Sequence, residues 1–144
     1  MTALRVYAPE FAELRVADVM TIDPVVVGAD DPIDAAEDLL ATYRISGLPV
    51  VGSDGRLAGV ISNTDLVPDG NVGIQALLRA NGRHLRVGEL MTSPAVTVSM
   101  MSTLVEAARL MHESRIHRLV AVDDAGRPVG VLSASDYVTV VAEG

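Results

Sequence analysis

Apolar positions along this chain fall into short blocks with two different periods. Runs rich in β-branched residues, "PVVV" (24–27), "LPVV" (48–51) and "LAGVI" (57–61), predict three strands, and "AVTV" (95–98), "LVAV" (119–122) and "PVGVL" (128–132) predict three more. A helical period separates the first two strands of each set. Ile33, Ala36, Leu39, Leu40 and Tyr43 share one helix face, and Leu104, Ala107, Ala108, Leu110 and Met111 share another. Asp31 is the expected cap of the first helix, with Pro32 in its first turn, and Ser102 is the expected cap of the second. Gly52-Ser53-Asp54-Gly55 and Asp123-Asp124-Ala125-Gly126 read as tight turns between paired strands. A short helix then begins near Ser62 in the first set and near Ser133 in the second.

The two sets are copies. Shifting the chain by 71 positions aligns segment 16–67 with segment 87–138 without a gap, and about 18 of the 52 pairs are identical. The identities include Met20/Met91, Thr21/Thr92, Arg44/Arg115, Gly59/Gly130, Ser62/Ser133 and Asp65/Asp136. Each copy reads as β-α-β-β-α, so the expected class is α+β, with units at 16–67 and 87–138. A unit of this size buries too little surface to stand comfortably alone, and packing two face to face resolves that. The remaining parts are an arm at 1–15 carrying a short helix ("PEFAEL"), a linker at 68–86 with a short helix near 74–80, and a tail at 139–144.

Composition narrows the function. With 11 basic against 19 acidic residues the net charge is −8, which argues against a broad nucleic-acid surface. There is no cysteine, in keeping with a reducing, cytoplasmic setting. The N-terminal stretch lacks the apolar run of a signal peptide, and no run reaches the length of a membrane span. The three histidines, His84, His112 and His117, belong to no nucleophile elbow, Walker loop or zinc pair, so no enzyme is expected and no metal site. Aromatic residues make up 3%, so the core is aliphatic, with the methionines as filler.

The candidate chemistry lies at the duplicated Ser-x-x-Asp. Ser62 with Asp65, and Ser133 with Asp136, could form capping boxes, each hydroxyl accepting a backbone N–H and each acid answering three residues on. Alternatively, an ionised carboxylate offers acceptors for the adjacent hydroxyls of a ribose, and the helix start favours phosphate. His117 and Arg118 precede a strand and read either as a solvated loop end or as a phosphate clamp. The first copy has Ser46 and Gly47 in their place, so two unequal sites are expected. Arg44 and Arg115 end their helices, where a cation is favourable in itself.

In order and spacing, "DVMT…VVV…AAEDLL…RISGLPVV…GRLAGVIS..D", repeated, resembles the cystathionine-β-synthase-type (CBS) domain pair, or Bateman module, in its stand-alone form. The resemblance implies two β-α-β-β-α units packed with pseudo-two-fold symmetry, clefts at their interface, and dimers formed through helices. It implies adenosine-containing ligands: AMP, ADP or ATP first, with S-adenosylmethionine behind them and NAD-type molecules less often. It assigns Ser62, Asp65, Ser133 and Asp136 to ribose and phosphate and points the basic pair His117 and Arg118 into a cleft. It also places an adenine against the backbone of 21–25 and 92–96, with Pro94 and Val96 as candidates. The function implied is a sensor that signals through dimer shape or a separate protein partner. The alternative is a ligand-independent dimerisation or interaction module.

Overall fold

The computed structural model describes residues 11–66 and 85–143. The predicted helix at 74–80 and most of the N-terminal arm lie outside these residues; Phe11 to Glu13, inside them, are helical. The chain divides into two compact units, one spanning 25–95 and the other joining 1–24 to 96–144.

In the 25–95 unit, β2 (Val27–Gly28) is followed by α2 (Ile33–Tyr43), β3 (Gly47–Val51), β4 (Leu57–Ser62) and α3 (Asn63–Leu66), and α4 (Val87–Leu90) completes it. β2 pairs parallel with β3, and β3 antiparallel with β4. The other unit opens with α1 (Val16–Val19) and β1 (Thr21–Ile22). It resumes with β5 (Thr97–Ser99), α5 (Leu104–Ser114), β6 (Arg118–Val122), β7 (Pro128–Ser133) and α6 (Ala134–Glu143). Its sheet runs β1-β7-β6-β5, with β1 antiparallel to β7. α6 continues through 139–143, the stretch expected to be a tail.

The compact units are therefore out of step with the repeats. The segment that leads the first repeat is built into the body of the second, and the reverse also holds. Val16 N–H donates to Ser102 C=O (2.8 Å), Ala17 N–H to Met100 C=O (2.9 Å) and Leu104 N–H to Leu14 C=O (3.0 Å). The matching bonds elsewhere run from Val87 N–H to Asp31 C=O (2.9 Å), Gly88 N–H to Ala29 C=O (2.8 Å) and Ile33 N–H to Leu85 C=O (3.1 Å). An arginine clasps each junction: Arg15 Nη1 donates to Met101 C=O and Arg86 Nη1 to Asp30 C=O.

Each core follows from this arrangement. Val87 packs with Ile33, Ala36, Leu40, Leu48, Val50 and Ile61, while Val16 packs with Leu104, Ala107, Met111, Leu119 and Leu132. The buried helix positions fall at i, i+3 and i+7, as an amphipathic face requires. Tyr43, expected on that face, is exposed, because the helix ends beside it at Arg44. Met111 is buried in one core and Met20 and Met91 pack at the edges, as expected of filler, whereas Met101 is 59% exposed. Glycine is needed where the leading segments cross the strands. A Cβ on Gly59 would lie 2.6 Å from the Thr92 carbonyl oxygen, and one on Gly130 would collide with the Met20 side chain.

Local details differ from the sequence reading in three places, the α5 cap, the role of Asp31 and the leading strands, while Arg44 and Arg115 end their helices as expected. Thr103, not Ser102, caps α5. Its Oγ1 accepts Glu106 N–H (3.1 Å) while Glu106 Oε1 accepts Thr103 N–H (3.2 Å), because the glutamate stands three residues after Thr103 and not after Ser102. These hydrogen bonds from the Thr103 backbone and then its side chain hold the Glu106 carboxyl below the usual range. Asp31 sits one residue outside the N-cap Pro32, and its carboxylate instead accepts Gly28 N–H (2.9 Å). The leading strands are shorter and later than predicted, at 27–28 and 97–99. Arg44 and Arg115 are the helix C-caps, both left-handed, at φ 53° and 56°. No helix among the described residues is long and apolar enough to cross a membrane.

Candidate ligand-binding site

Both Ser-x-x-Asp motifs sit where a strand passes directly into a helix, β4 into α3 and β7 into α6. In each, one carboxylate oxygen is spent on holding the side chain in place. Asp65 Oδ2 accepts Ser62 N–H (2.9 Å) and Ser62 Oγ–H (3.1 Å). Asp136 Oδ2 accepts Ser133 N–H (2.7 Å) and Ser133 Oγ–H (3.2 Å). In the first motif Asp65 N–H also reaches Ser62 Oγ (3.4 Å), which completes a capping box. The acid therefore caps through Oδ2, and what it can offer a ligand rests on Oδ1. Both aspartates are half-buried.

His117 and Arg118 lie against the second motif. Ala134 N–H donates to the His117 carbonyl (2.8 Å), tying the start of α6 to the residue before β6. Arg118 faces Ser133 across the β6–β7 ladder. Both side chains are exposed. In the 25–95 unit Asn63 N–H donates to the Ser46 carbonyl (3.1 Å), and Gly47 faces Ser62. The backbone frame is the same in both units, and the basic side chains belong to one of them.

The two candidates for an adenine pocket fall in different units. Pro94 is exposed in the 25–95 unit, on the segment that runs beside β4, where Thr92 bridges Val60 and Ser93 Oγ–H donates to Ala58 C=O (2.9 Å). Val96, 40% exposed, begins the portion of the other unit that holds Asp136. Sequence reasoning missed the contact made by Thr92, whose Oγ1–H donates to Asp65 Oδ1 (3.1 Å). The signal was present, since Thr21 and Thr92 are an identical pair in the repeat, but the distance between Thr92 and Asp65 along the chain hides it.

Next to Asp136, the Tyr137 hydroxyl donates to the Leu104 carbonyl (2.6 Å). Burial, followed by the negative charge of Asp136, pushes this phenol up to about 12, so it remains a neutral donor. An open depression of about 740 Å³ lies between α5 and α6, lined by His112, Arg115, Ile116, His117, Ala134 and Tyr137. It includes neither Ser133 nor Asp136, so it is not the carboxylate site itself. Among the described residues no cluster of three or more His, Cys, Asp or Glu could hold a metal ion.

A family model for the CBS domain matches residues 16–68 and 87–143. Inosine-5'-monophosphate dehydrogenase of Methanocaldococcus jannaschii is 32% identical over 126 residues, covering 88% of this chain and 22% of that enzyme. The chain thus spans about a fifth of the length of the curated relatives it matches. Among solved structures, the Arabidopsis thaliana CBS-pair protein CBSX2 in complex with AMP is similar at a TM-score of 0.76 and 32% identity, covering 90% of this chain and 97% of that one. The CBS domain pair of protein MJ0100, in complex with 5'-methylthioadenosine and S-adenosyl-L-methionine, is similar at a TM-score of 0.69 and 25% identity, covering 87% and 97%.

Proposed function

The chain belongs to the CBS-domain family, and from that premise we propose that it is a regulatory module that binds an adenosine-containing nucleotide of the AMP, ADP or ATP class. One observation carries the reading. At the end of β7 a carboxylate is fixed through Oδ2, while its Oδ1 takes no hydrogen bond from any described residue. Ribose hydroxyls suit such an acceptor, and His117 and Arg118 stand on the adjacent strand end to meet phosphate. The adenosine ligands of CBSX2 and MJ0100 support the ligand class. S-adenosylmethionine ranks behind the nucleotides here, because the basic pair favours phosphate over a sulfonium. We assign no catalytic role to the chain. A nucleotide that binds two arrangements of the module with different affinity shifts their populations, and the signal passes through dimer shape or to a separate protein.

The competing reading is an interaction module that needs no ligand. It is favoured by α6, which buries no residue and leaves Val138 68% and Val141 57% exposed. Thermal unfolding with AMP, ADP, ATP, NAD and S-adenosylmethionine separates the two. A ligand at about 100 times its Kd adds about 2.7 kcal/mol, which raises the midpoint by several degrees. No shift with any of them favours the interaction module. A shift that survives Asp65→Ala together with Asp136→Ala rejects the carboxylates as the site.

A further inference from the structure

The two duplicated carboxylates are not equivalent, and the difference lies in acceptor capacity. An ionised carboxylate has about four lone-pair positions. Asp65 has three engaged: Ser62 N–H and Oγ–H on Oδ2, and Thr92 Oγ1–H on Oδ1. Among the described residues Asp136 accepts on Oδ2 alone, from Ser133 N–H and from Ser133 Oγ–H, which also lies 2.8 Å from Ser135 Oγ, so at most two positions are engaged. Thr21, the counterpart of Thr92, makes no hydrogen bond to Asp136. A ribose diol brings two O–H donors, and only Asp136 can accept both without giving up a bond it already makes.

The two crossings also differ in backbone geometry. Thr92 crosses β4 at a single bridge, with Thr92 N–H to Val60 C=O (2.8 Å) and Val60 N–H to Thr92 C=O (3.0 Å). Thr21 instead lies in a two-residue ladder opposite Val131. The Thr92 carbonyl comes within 2.6 Å of where a Cβ on Gly59 would stand, whereas that of Thr21 stays 3.0 Å from the same point on Gly130. The Thr92 crossing is the closer of the two, and Thr92 is the threonine whose hydroxyl reaches its aspartate. The basic residues follow the same division, with His117 and Arg118 beside Asp136 and Ser46 and Gly47 beside Asp65.

Resting on the nucleotide reading above, we propose that Thr92 latches the Asp65 carboxylate, so that each chain takes one nucleotide, at Asp136, and the Asp65 position is a closed copy. Thr92 is then a specificity-determining residue that sets stoichiometry. The test is isothermal titration of the full chain with AMP, run on wild type, Asp136→Asn, Asp65→Asn and Thr92→Val, each checked by circular dichroism for an unchanged fold. The expected results are one AMP per chain, affinity lowered about ten-fold or more by Asp136→Asn, a change of less than about two-fold for Asp65→Asn, and stoichiometry rising toward two for Thr92→Val. The valine retains the shape and the backbone bridge and removes only the hydroxyl. Two equal sites in wild type, or a loss at Asp65→Asn matching that at Asp136→Asn, overturns the latch while leaving the nucleotide reading intact. An absence of binding by AMP, and by ADP and ATP titrated in its place, overturns both.

Discussion

Replacing Gly59 by alanine tests whether the leading segment of one repeat is held against the body of the other as described. The new methyl would stand 2.6 Å from the Thr92 carbonyl oxygen, 2.9 Å from Met91 Sδ and 3.3 Å from its Cγ. The methionine can swing aside, but the carbonyl cannot move alone, because it accepts Val60 N–H at 3.0 Å and its own residue donates back at 2.8 Å. Relieving the clash lengthens or breaks both bonds, at about 1 kcal/mol each. Residual overpacking in a buried strand adds about 1–3 kcal/mol. Against this, alanine restricts the unfolded chain and returns about 0.4–1 kcal/mol. The net expectation is destabilisation by about 2–4 kcal/mol, a large part of a total near 5–15 kcal/mol. Gly130→Ala is the internal comparison. Its nearest obstacle is the flexible end of Met20, and the Thr21 carbonyl is no nearer than 3.0 Å, so a smaller loss of about 1–2 kcal/mol is expected. Urea unfolding followed by far-ultraviolet circular dichroism measures both. If Gly59→Ala stays within about 0.5 kcal/mol of wild type, or costs less than Gly130→Ala, the close crossing at Thr92 is wrong.

Three further expectations follow from the same packing. A fragment spanning 25–95 contains a whole core with Val87 in place, so it should unfold cooperatively, whereas the repeat 16–67 lacks Val87 and the bonds from Val87 to Asp31 and from Gly88 to Ala29 and should not; a more stable 16–67 fragment on denaturant titration would contradict this. Tyr137 ionises near 12 in the folded protein instead of 10, so its proton favours the fold fully below about pH 10, and that contribution disappears as pH rises through about 12. Absorbance titration at alkaline pH should show a late phenol that Tyr137→Phe removes, and a titration unchanged by the substitution would contradict the assignment. Thr103→Ala should cost about 1 kcal/mol by removing the α5 cap, while Ser102→Ala should be near neutral, a contrast that thermal or urea midpoints read directly.

The alternation of apolar and polar residues, read against its own copy 71 positions later, was enough to establish the duplication, the element types and the strand-to-helix junctions that carry Ser62, Asp65, Ser133 and Asp136. These are local matters, set by side-chain period and turn chemistry within a few residues. Caps were legible only in kind. Choosing Thr103 over Ser102 required noticing the glutamate three residues on, and Asp31 was displaced by the proline that follows it. The partner of each leading segment was not legible at all. Val16 and Val87 are the same residue in the same repeat position, and burial of apolar surface is non-directional, so the pattern says that both are buried without saying against which body. Tertiary packing decided that, and with it decided that Thr92 reaches Asp65 while Thr21 leaves Asp136 open. The two crossings differ by a few tenths of an ångström, and identical threonines meet their aspartates differently, neither of which a pattern of residue types encodes.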